Sequence, residues 1–403
     1  MVIVIIIAAG FANRMRPLTM TRLKGSLPIM NEPLLVRMAD MLEASGLLDK
    51  LILVVSPGQV DKMREVFAGK EYANKLEVAI QDPPEGTADA VAQAEPFVGT
   101  EDHYLVMNGD ILAPLDEIIP KLIEHHTNLA AKCSMVVFPG EDERYGLLHI
   151  TDDGKVLDIK EKEKGGSSDG KQRYINAGIY LFGKELFDTI RATPRSARGE
   201  YEITDTISIL GKQGSIGAVI TDSWMSTENP IDLFNAQLFF PPKEETLKMQ
   251  FHSGGEIGFK VAEDIFFDKE TEIDFSGVFF RGPVFLGKGT LIETGSKIGP
   301  RVYIGSDCEV GADSIIIETL MMSNTRVAPK CNISSAIIGE EVVIGANVKI
   351  NGTEITKELL FEKRDRDRLE DFVIIGGKSI LSTDVVINKG RKIDAHSAVK
   401  KGD

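Results

Sequence analysis

Residues 1–240 of this chain read as an α/β domain built on a mostly parallel sheet, and residues 261–403 read as a parallel β-helix, with 241–260 as a linker. Two observations carry that division. Apolar runs alternate with amphipathic segments in the first half, and aliphatic residues recur at every sixth position in the second. A chain of 403 residues also exceeds what a single hydrophobic core usually organises.

The first half opens with a strand-like run at residues 2–9. A helical pattern follows at 33–44, a second strand at 51–56, a helix at 60–67, an extended segment at 76–81, a helix at 88–94 and a fourth strand at 104–107. Strands that are apolar throughout, placed between helices, indicate a parallel sheet covered on both faces. In such sheets ligands lie beyond the carboxyl ends of the strands, so the loops after Ala9, Gln81 and Met107 are the first places to look for chemistry.

In the second half Phe280, Leu286, Ile292, Ile298, Ile304, Val310 and Ile316 fall in one register of six, which resumes at Ile338, Ile344 and Ile350 and again from Ile375 to Val399. Gly287, Gly299, Gly305 and Gly311 directly follow their aliphatic partners, and Val302, Cys308 and Ser314 stand four places after theirs. Helices repeat at 3.6 and amphipathic strands at two, so a sustained period of six marks a coil with one inward residue per flat side. Residues 353–372 break the register and carry the charged run EKRDRDRLED, which reads as a solvated excursion from the coil.

The formal net charge is -15 and the pI near 5.0, which gives no general attraction to nucleic acid or to an anionic membrane, so neither is an expected partner. Phosphate binding would need local cations and backbone N–H groups. Three distant cysteines argue against a disulfide framework and fit a reducing compartment. The six histidines lack metal-ligand spacing. No stretch approaches the roughly 20 apolar residues of a membrane span, and the apolar start lacks a basic leader region. A cytoplasmic location is the expectation.

The densest local feature is AAGFANRMRPLTMTRLKGSLP, residues 8–28, where a strand ends in Ala9 and Gly10 and is followed by Arg14, Arg16 and Lys24. Such a turn can surround a triphosphate with backbone N–H groups and fixed cations. Arg14 can fork onto phosphate oxygens, and Lys24 can act as a point charge. The segment resembles the signature of the sugar-1-phosphate nucleotidylyltransferases, G-x-G-x-R-[LM]-x-P-L-T followed by a Lys and L-P-[VI]. Met15, Arg16, Pro17, Leu18, Thr19, Leu27, Pro28 and Ile29 all fit.

The resemblance continues in order over about 235 residues, and it implies a Rossmann-like domain with these roles. QDPPEGTADA, residues 81–90, resembles the family's base-facing stretch, placing Gln81, Gly86 and Thr87 with Ala9, Gly10 and Arg14 at the nucleotide and favouring UTP or dTTP. Asp110 matches the acid that holds Mg²⁺. Tyr145 with Gly146, Glu161 with Lys162, and Asn176 resemble the sugar-side positions; Glu202 to Asp205 reads E-I-T-D, and Trp224 opens the segment that normally supplies a second metal Asp. The implied reaction is attack by the phosphate of a hexose 1-phosphate on the α-phosphorus of a nucleoside triphosphate, with pyrophosphate leaving. Arg14, Lys24, Asp110 and Lys162 would be the catalytic set.

Departures fall on functional positions. Ala12 replaces the second glycine, at a cost of about 1 kcal/mol if a left-handed conformation is needed there. Glu163 replaces the Pro after E-K, and Ser226 stands where the second metal ligand belongs, with Glu228 two residues on. These motivate a competing reading, a weakened paralogue that binds sugar nucleotides and regulates or scaffolds a partner. The second half resembles the left-handed β-helix of hexapeptide-repeat acyltransferases, as joined to nucleotidylyltransferases in bifunctional enzymes. Pro329 falls at the catalytic His position and His396 lies far along the coil, which makes acetyl transfer unexpected. The resemblance implies a homo-oligomer, with a trimer favoured.

Overall fold

The computed structural model describes residues 2–10, 12–99, 103–140, 142, 145–160, 172–239, 246–248, 264–268, 277–351 and 369–403. Contacts gather the chain into two units: Met1–Phe11 with Pro33–Ser226, and Ala12–Glu32 with Thr227–Asp403.

The first unit is α/β with a mostly parallel sheet at its centre. Ile3–Ile7 reads IVIII, β-branched residues that suit a strand buried on both faces, and its first four residues are buried. It pairs in parallel with Lys50–Val55 on one side and with His103–Asn108 on the other. Lys50–Val55 pairs in parallel with Leu76–Ile80. Beyond His103–Asn108 lies Tyr174–Gly183, antiparallel to it and in turn paired with Leu147–Ile150 and Cys133–Pro139. Ile216–Ile220 adds in parallel to Cys133–Pro139. Among the described residues the sheet has nine strands. Ile5, Val54, Val106, Met135 and Phe182 are fully buried within one apolar cluster.

The chain leaves Ile3–Ile7 for one edge of the sheet and returns on the other side through His103–Asn108. That reversal is a topological switch point, where the loops after two neighbouring strands diverge and leave a crevice. The Gly109 N–H donates to Ile7 O at 2.8 Å, and a Cβ on Gly109 would stand 2.9 Å from that same oxygen. The turn can therefore close against the end of the neighbouring strand only as glycine.

In the second unit the sixfold pattern becomes a left-handed β-helix of parallel ladders. One ladder runs through Val284–Leu286, Val302–Ile304, Ile315–Met321, Asn332–Ile338 and Val373–Ile375. Another runs from Leu291–Ile292 through Glu309–Val310, Arg326–Val327, Val343–Ile344 and Ile380–Leu381 to Ala398–Val399. Leu286, Ile292, Ile298, Ile304, Val310 and Ile316 all face the coil's core.

The register gap after Ile316 has a local cause. Met321, Val327 and Ile333 are core residues too, but the steps from Ile316 to Met321 and from Ile333 to Ile338 are one residue short. Each shortened corner holds a buried polar residue at positive φ, Glu318 (φ 46) and Ser335 (φ 49), and the Ser335 hydroxyl donates to Glu318 Oε2 at 2.9 Å. Ordinary corners use Asp307, Asp313, Asn324, Asn347 and Asp384 in the same left-handed region, which Asn and Asp tolerate best after Gly. Inside the coil, small polar side chains bind carbonyls one coil on: Thr290 Oγ1 donates to Gly305 O at 2.9 Å and Thr325 Oγ1 to Gly339 O at 3.0 Å.

The helix Pro230–Ala236 packs on this coil. Phe234 meets Tyr303 and Phe372, with ring centroids 5.8 and 5.0 Å apart, and Arg301 lies over the Phe234 ring and donates to Asn235 Oδ1 at 2.9 Å. Within the stretch read as a linker, Thr246–Lys248 pairs antiparallel with Ile265–Asp268. The rest of 241–260, and residues 353–368 of the excursion, lie outside the described residues. Cys133, Cys308 and Cys331 are free and buried, and burial pushes their thiols up, Cys308 to about 12. No described helix is long and apolar enough to cross a membrane.

Candidate active site

At the switch point of the first unit, Ala9 is buried and its carbonyl accepts from the Ser56 hydroxyl. Gly10 is exposed and faces open space, with nothing within 4 Å of where a Cβ would be. Asp110, half-buried, ends the turn after His103–Asn108. The next residue, Ile111, pairs antiparallel with Ser226, so the segment after Trp224 does return to the aspartate turn. A buried serine stands at the position where the resemblance places a carboxylate. Among the described residues no group of three or more His, Cys, Asp and Glu is arranged to hold a metal ion.

Gln81 follows Leu76–Ile80 and is 3% exposed. Its amide nitrogen donates to Gly86 O at 2.9 Å and to Asp89 Oδ2 at 2.7 Å, so both amide protons are engaged and the carbonyl oxygen is left to accept. Gly86 has φ 122, and a Cβ there would stand 2.4 Å from Tyr201 O, so only glycine fits. The Thr87 hydroxyl accepts from Ile203 N at 2.9 Å, tying this loop to the helix Ile203–Gly211. Glu202, buried just before that helix, accepts from Arg198 Nε at 3.0 Å.

Of the positions that the resemblance assigns to a sugar, those described lie together. Trp224 Nε1 donates to Ala177 O at 2.9 Å, and the Trp224 ring lies edge-on to Tyr145 at 5.0 Å. Asn176 N donates to Gly146 O at 3.0 Å. The Asn176 side chain is engaged within its own strand, donating to Tyr180 Oη at 2.9 Å and accepting from Gly178 N at 3.1 Å, where the pairing with Cys133–Pro139 shifts register. Gly178 has φ 73, and a Cβ there would stand 2.5 Å from Asn108 Nδ2. Glu161, Lys162 and Glu163 lie outside the described residues.

Arg14 and Lys24 belong to the second unit, in the segment Ala12–Glu32. Short 3-10 turns at Asn13–Met15, Leu18–Met20 and Lys24–Ser26 shape it. Ala12 sits at φ 50, ψ 30, the left-handed conformation in which its methyl is costly. The Thr19 hydroxyl braces it by donating to Ala12 O at 3.0 Å. The Arg14 guanidinium is ion-paired with Glu228. Glu228 N and Asn229 N both donate to Asp232 Oδ2 at 3.0 Å, completing a capping box that starts the helix Pro230–Ala236. Sequence reasoning missed Glu228 as the partner of Arg14 and Asp89 as that of Gln81. The Arg14 pair spans 214 residues, and no local signal marks it.

A glycine turn and a Gly-Asp turn at the switch point of a mostly parallel sheet define a nucleotide-handling class of α/β protein. The chain belongs to the nucleotidyl transferase family, which residues 3–241 match, and residues 280–401 match the GMPPB C-terminal domain. Its relatives include a bifunctional protein GlmU from Methanocaldococcus jannaschii, 28% identical over 89% of this chain and 81% of the relative. A bifunctional sugar-1-phosphate nucleotidylyltransferase/acetyltransferase from Sulfurisphaera tokodaii is 25% identical over 98% of this chain and 95% of that protein. Among solved structures, a Bacillus anthracis chain described as a glucose-1-phosphate thymidylyltransferase, in complex with a sucrose, superposes with a TM-score of 0.53. It is 25% identical and covers 63% of this chain and 98% of its own.

Proposed function

We propose that this chain transfers a nucleotidyl group from UTP or dTTP to a hexose 1-phosphate and releases pyrophosphate. The observation that carries the base preference is Gln81, whose amide protons are held by Gly86 O and Asp89, leaving its carbonyl oxygen as acceptor. The imide N–H of uracil or thymine supplies the matching donor, whereas the pairing edge of adenine offers no ring N–H. The sugar phosphate attacks the α-phosphorus in line with no covalent enzyme intermediate, so alignment and charge neutralisation do the work. Arg14 and Lys24 hold the triphosphate, Lys162 orients the incoming phosphate, and Ala9, Gly10, Gly86 and Thr87 frame the nucleotide. Gly146, Glu161 and Asn176 form the sugar side, Asn176 through the bulge it stabilises.

The residues fit a magnesium ion held mainly by substrate, since Mg²⁺ is commonly bound by one or two carboxylates together with phosphates and water. Asp110 would be the chain's carboxylate, with the Ser226 hydroxyl on the neighbouring strand. Bound there, the ion would supply charge neutralisation at the triphosphate. Asp110→Asn is expected to lower turnover at least about a hundredfold while the far-ultraviolet signature of the fold is kept. The assay is pyrophosphate release from a panel of triphosphates, GTP included, with several sugar 1-phosphates. Undiminished turnover would remove Asp110 from the site.

The Arg14–Glu228 pair and Ser226 favour a second reading, a weakened paralogue that binds sugar nucleotides and regulates a partner. Nucleotide binding without pyrophosphate release from any pair would select it. We further propose a cytoplasmic location and a homo-oligomer, with a trimer favoured; Leu291, Val343 and Ile380, exposed along one outer ladder of the coil, support only the association. Acetyl transfer is not assigned to the coil, because Pro329 offers no base and His396 is an exposed corner residue at φ 61.

A further inference from the structure

We infer that Arg22 and Glu340 form a tie that positions the Lys24 turn, making the coil part of the triphosphate-binding apparatus. The inference rests on the reading of Lys24 as a triphosphate cation. Arg22 Nη1 donates to Ser26 O at 3.2 Å, and Ser26 closes the 3-10 turn Lys24–Ser26. On the other side, Arg22 Nε lies 3.3 Å from Glu340 Oε2. A planar guanidinium can engage two groups at once, and Arg22 is hydrogen-bonded to the turn and ion-paired with the coil.

Glu340 sits in the corner after Asn332–Ile338, its side chain 9% exposed, and its Oε2 accepts no directed hydrogen bond from any described residue. Arg22 is therefore the counter-charge of a nearly buried carboxylate. The coil makes room at the same place: a Cβ on Gly377 would stand 2.7 Å from Thr21 Oγ1 and 3.1 Å from Glu340 Cδ. The segment also meets the coil at Gly287, where a Cβ would stand 2.0 Å from Asn31 Nδ2. Two contacts therefore bracket the turn, and the charged one lies two residues from Lys24. Arg22 is a positioning residue, acting on phosphate only through Lys24.

The test compares wild type, Arg22→Ala, Glu340→Gln and the exchange Arg22→Glu with Glu340→Arg, reading kcat and both KM values alongside thermal unfolding. The triphosphate KM is expected to rise about tenfold in each single variant, since small misplacements of a binding group are costly. The sugar 1-phosphate KM should stay within about twofold, because the bonds of Arg22 run to Ser26 and Glu340 and to no proposed sugar-side residue among those described. The exchange should recover part of the loss. Active single variants with an unmoved triphosphate KM would overturn the tie, as would equal rises in both KM values. Wild type that neither turns over nor binds UTP would instead fail the nucleotidylyltransferase reading and take the tie with it.

Discussion

Ala12 and Glu228 show how single residues shape the segment that carries Arg14. A left-handed alanine costs about 1 kcal/mol against glycine, and here it persists because Thr19 holds its carbonyl. The departure was legible in the sequence, since a glycine position filled by alanine can be read directly. The pairing of Arg14 with Glu228 was not legible, because it depends on the helix Pro230–Ala236 presenting residue 228 from far along the chain. The Arg14 side chain is 71% exposed, so the pair is worth at most about 1 kcal/mol. A triphosphate that needs Arg14 must nonetheless displace that carboxylate. Glu228→Gln is therefore expected to lower the triphosphate KM by up to about fivefold with kcat unchanged. A fall in kcat would instead assign Glu228 to the metal.

At the scale of elements, apolar period was the readable quantity. Every strand and helix expected up to residue 107 is present within a few residues, because each is a local run. Tyr174–Gly183 and its antiparallel neighbours were not anticipated; their pairing partners are distant and no turn signal joins them. In the coil, two one-residue deletions shift the phase, and a strict sixfold search loses the trail between Ile316 and Ile338 although the core continues.

The helix Leu115–Asn128 makes the α/β unit sensitive to acid. His126 in its last turn is buried, bonded to Ser134 Oγ at 3.0 Å and edge-on to His103 at 5.4 Å. Burial first, then the neighbouring His103 and His125, lowers its pKa to about 4. An unfolded histidine takes up a proton below about 6.5 while the folded one stays neutral. Stability is therefore intact above about pH 6.5 and is lost as the pH falls towards 4, by roughly 1–3 kcal/mol. Thermal unfolding at pH 7 and pH 5 should show that drop, and His126→Gln should shrink it. The same pH difference in both proteins would exclude His126 as the source.

Across the whole molecule, the family match and the contacts divide the chain differently. The nucleotidyl transferase match spans residues 3–241, as though a protein ending there would suffice. Yet residues Ala12–Glu32, with Arg14 and Lys24, gather with Thr227–Asp403. Cutting after residue 240 would remove Glu340 from Arg22, and Tyr303, Arg301 and Phe372 from Phe234. Exposing a buried phenylalanine alone costs about 1.5–3 kcal/mol. A protein of residues 1–240 is expected to keep the far-ultraviolet signature of its sheet while its melting temperature falls by several degrees, roughly in line with that loss. On the proposed reading its triphosphate KM should rise about tenfold or more, because the loop with Arg14 and Lys24 has lost its support. If the shortened protein melted and bound triphosphate like the full chain, the loop would owe nothing to the coil, and the division at residue 240 would be the functional one.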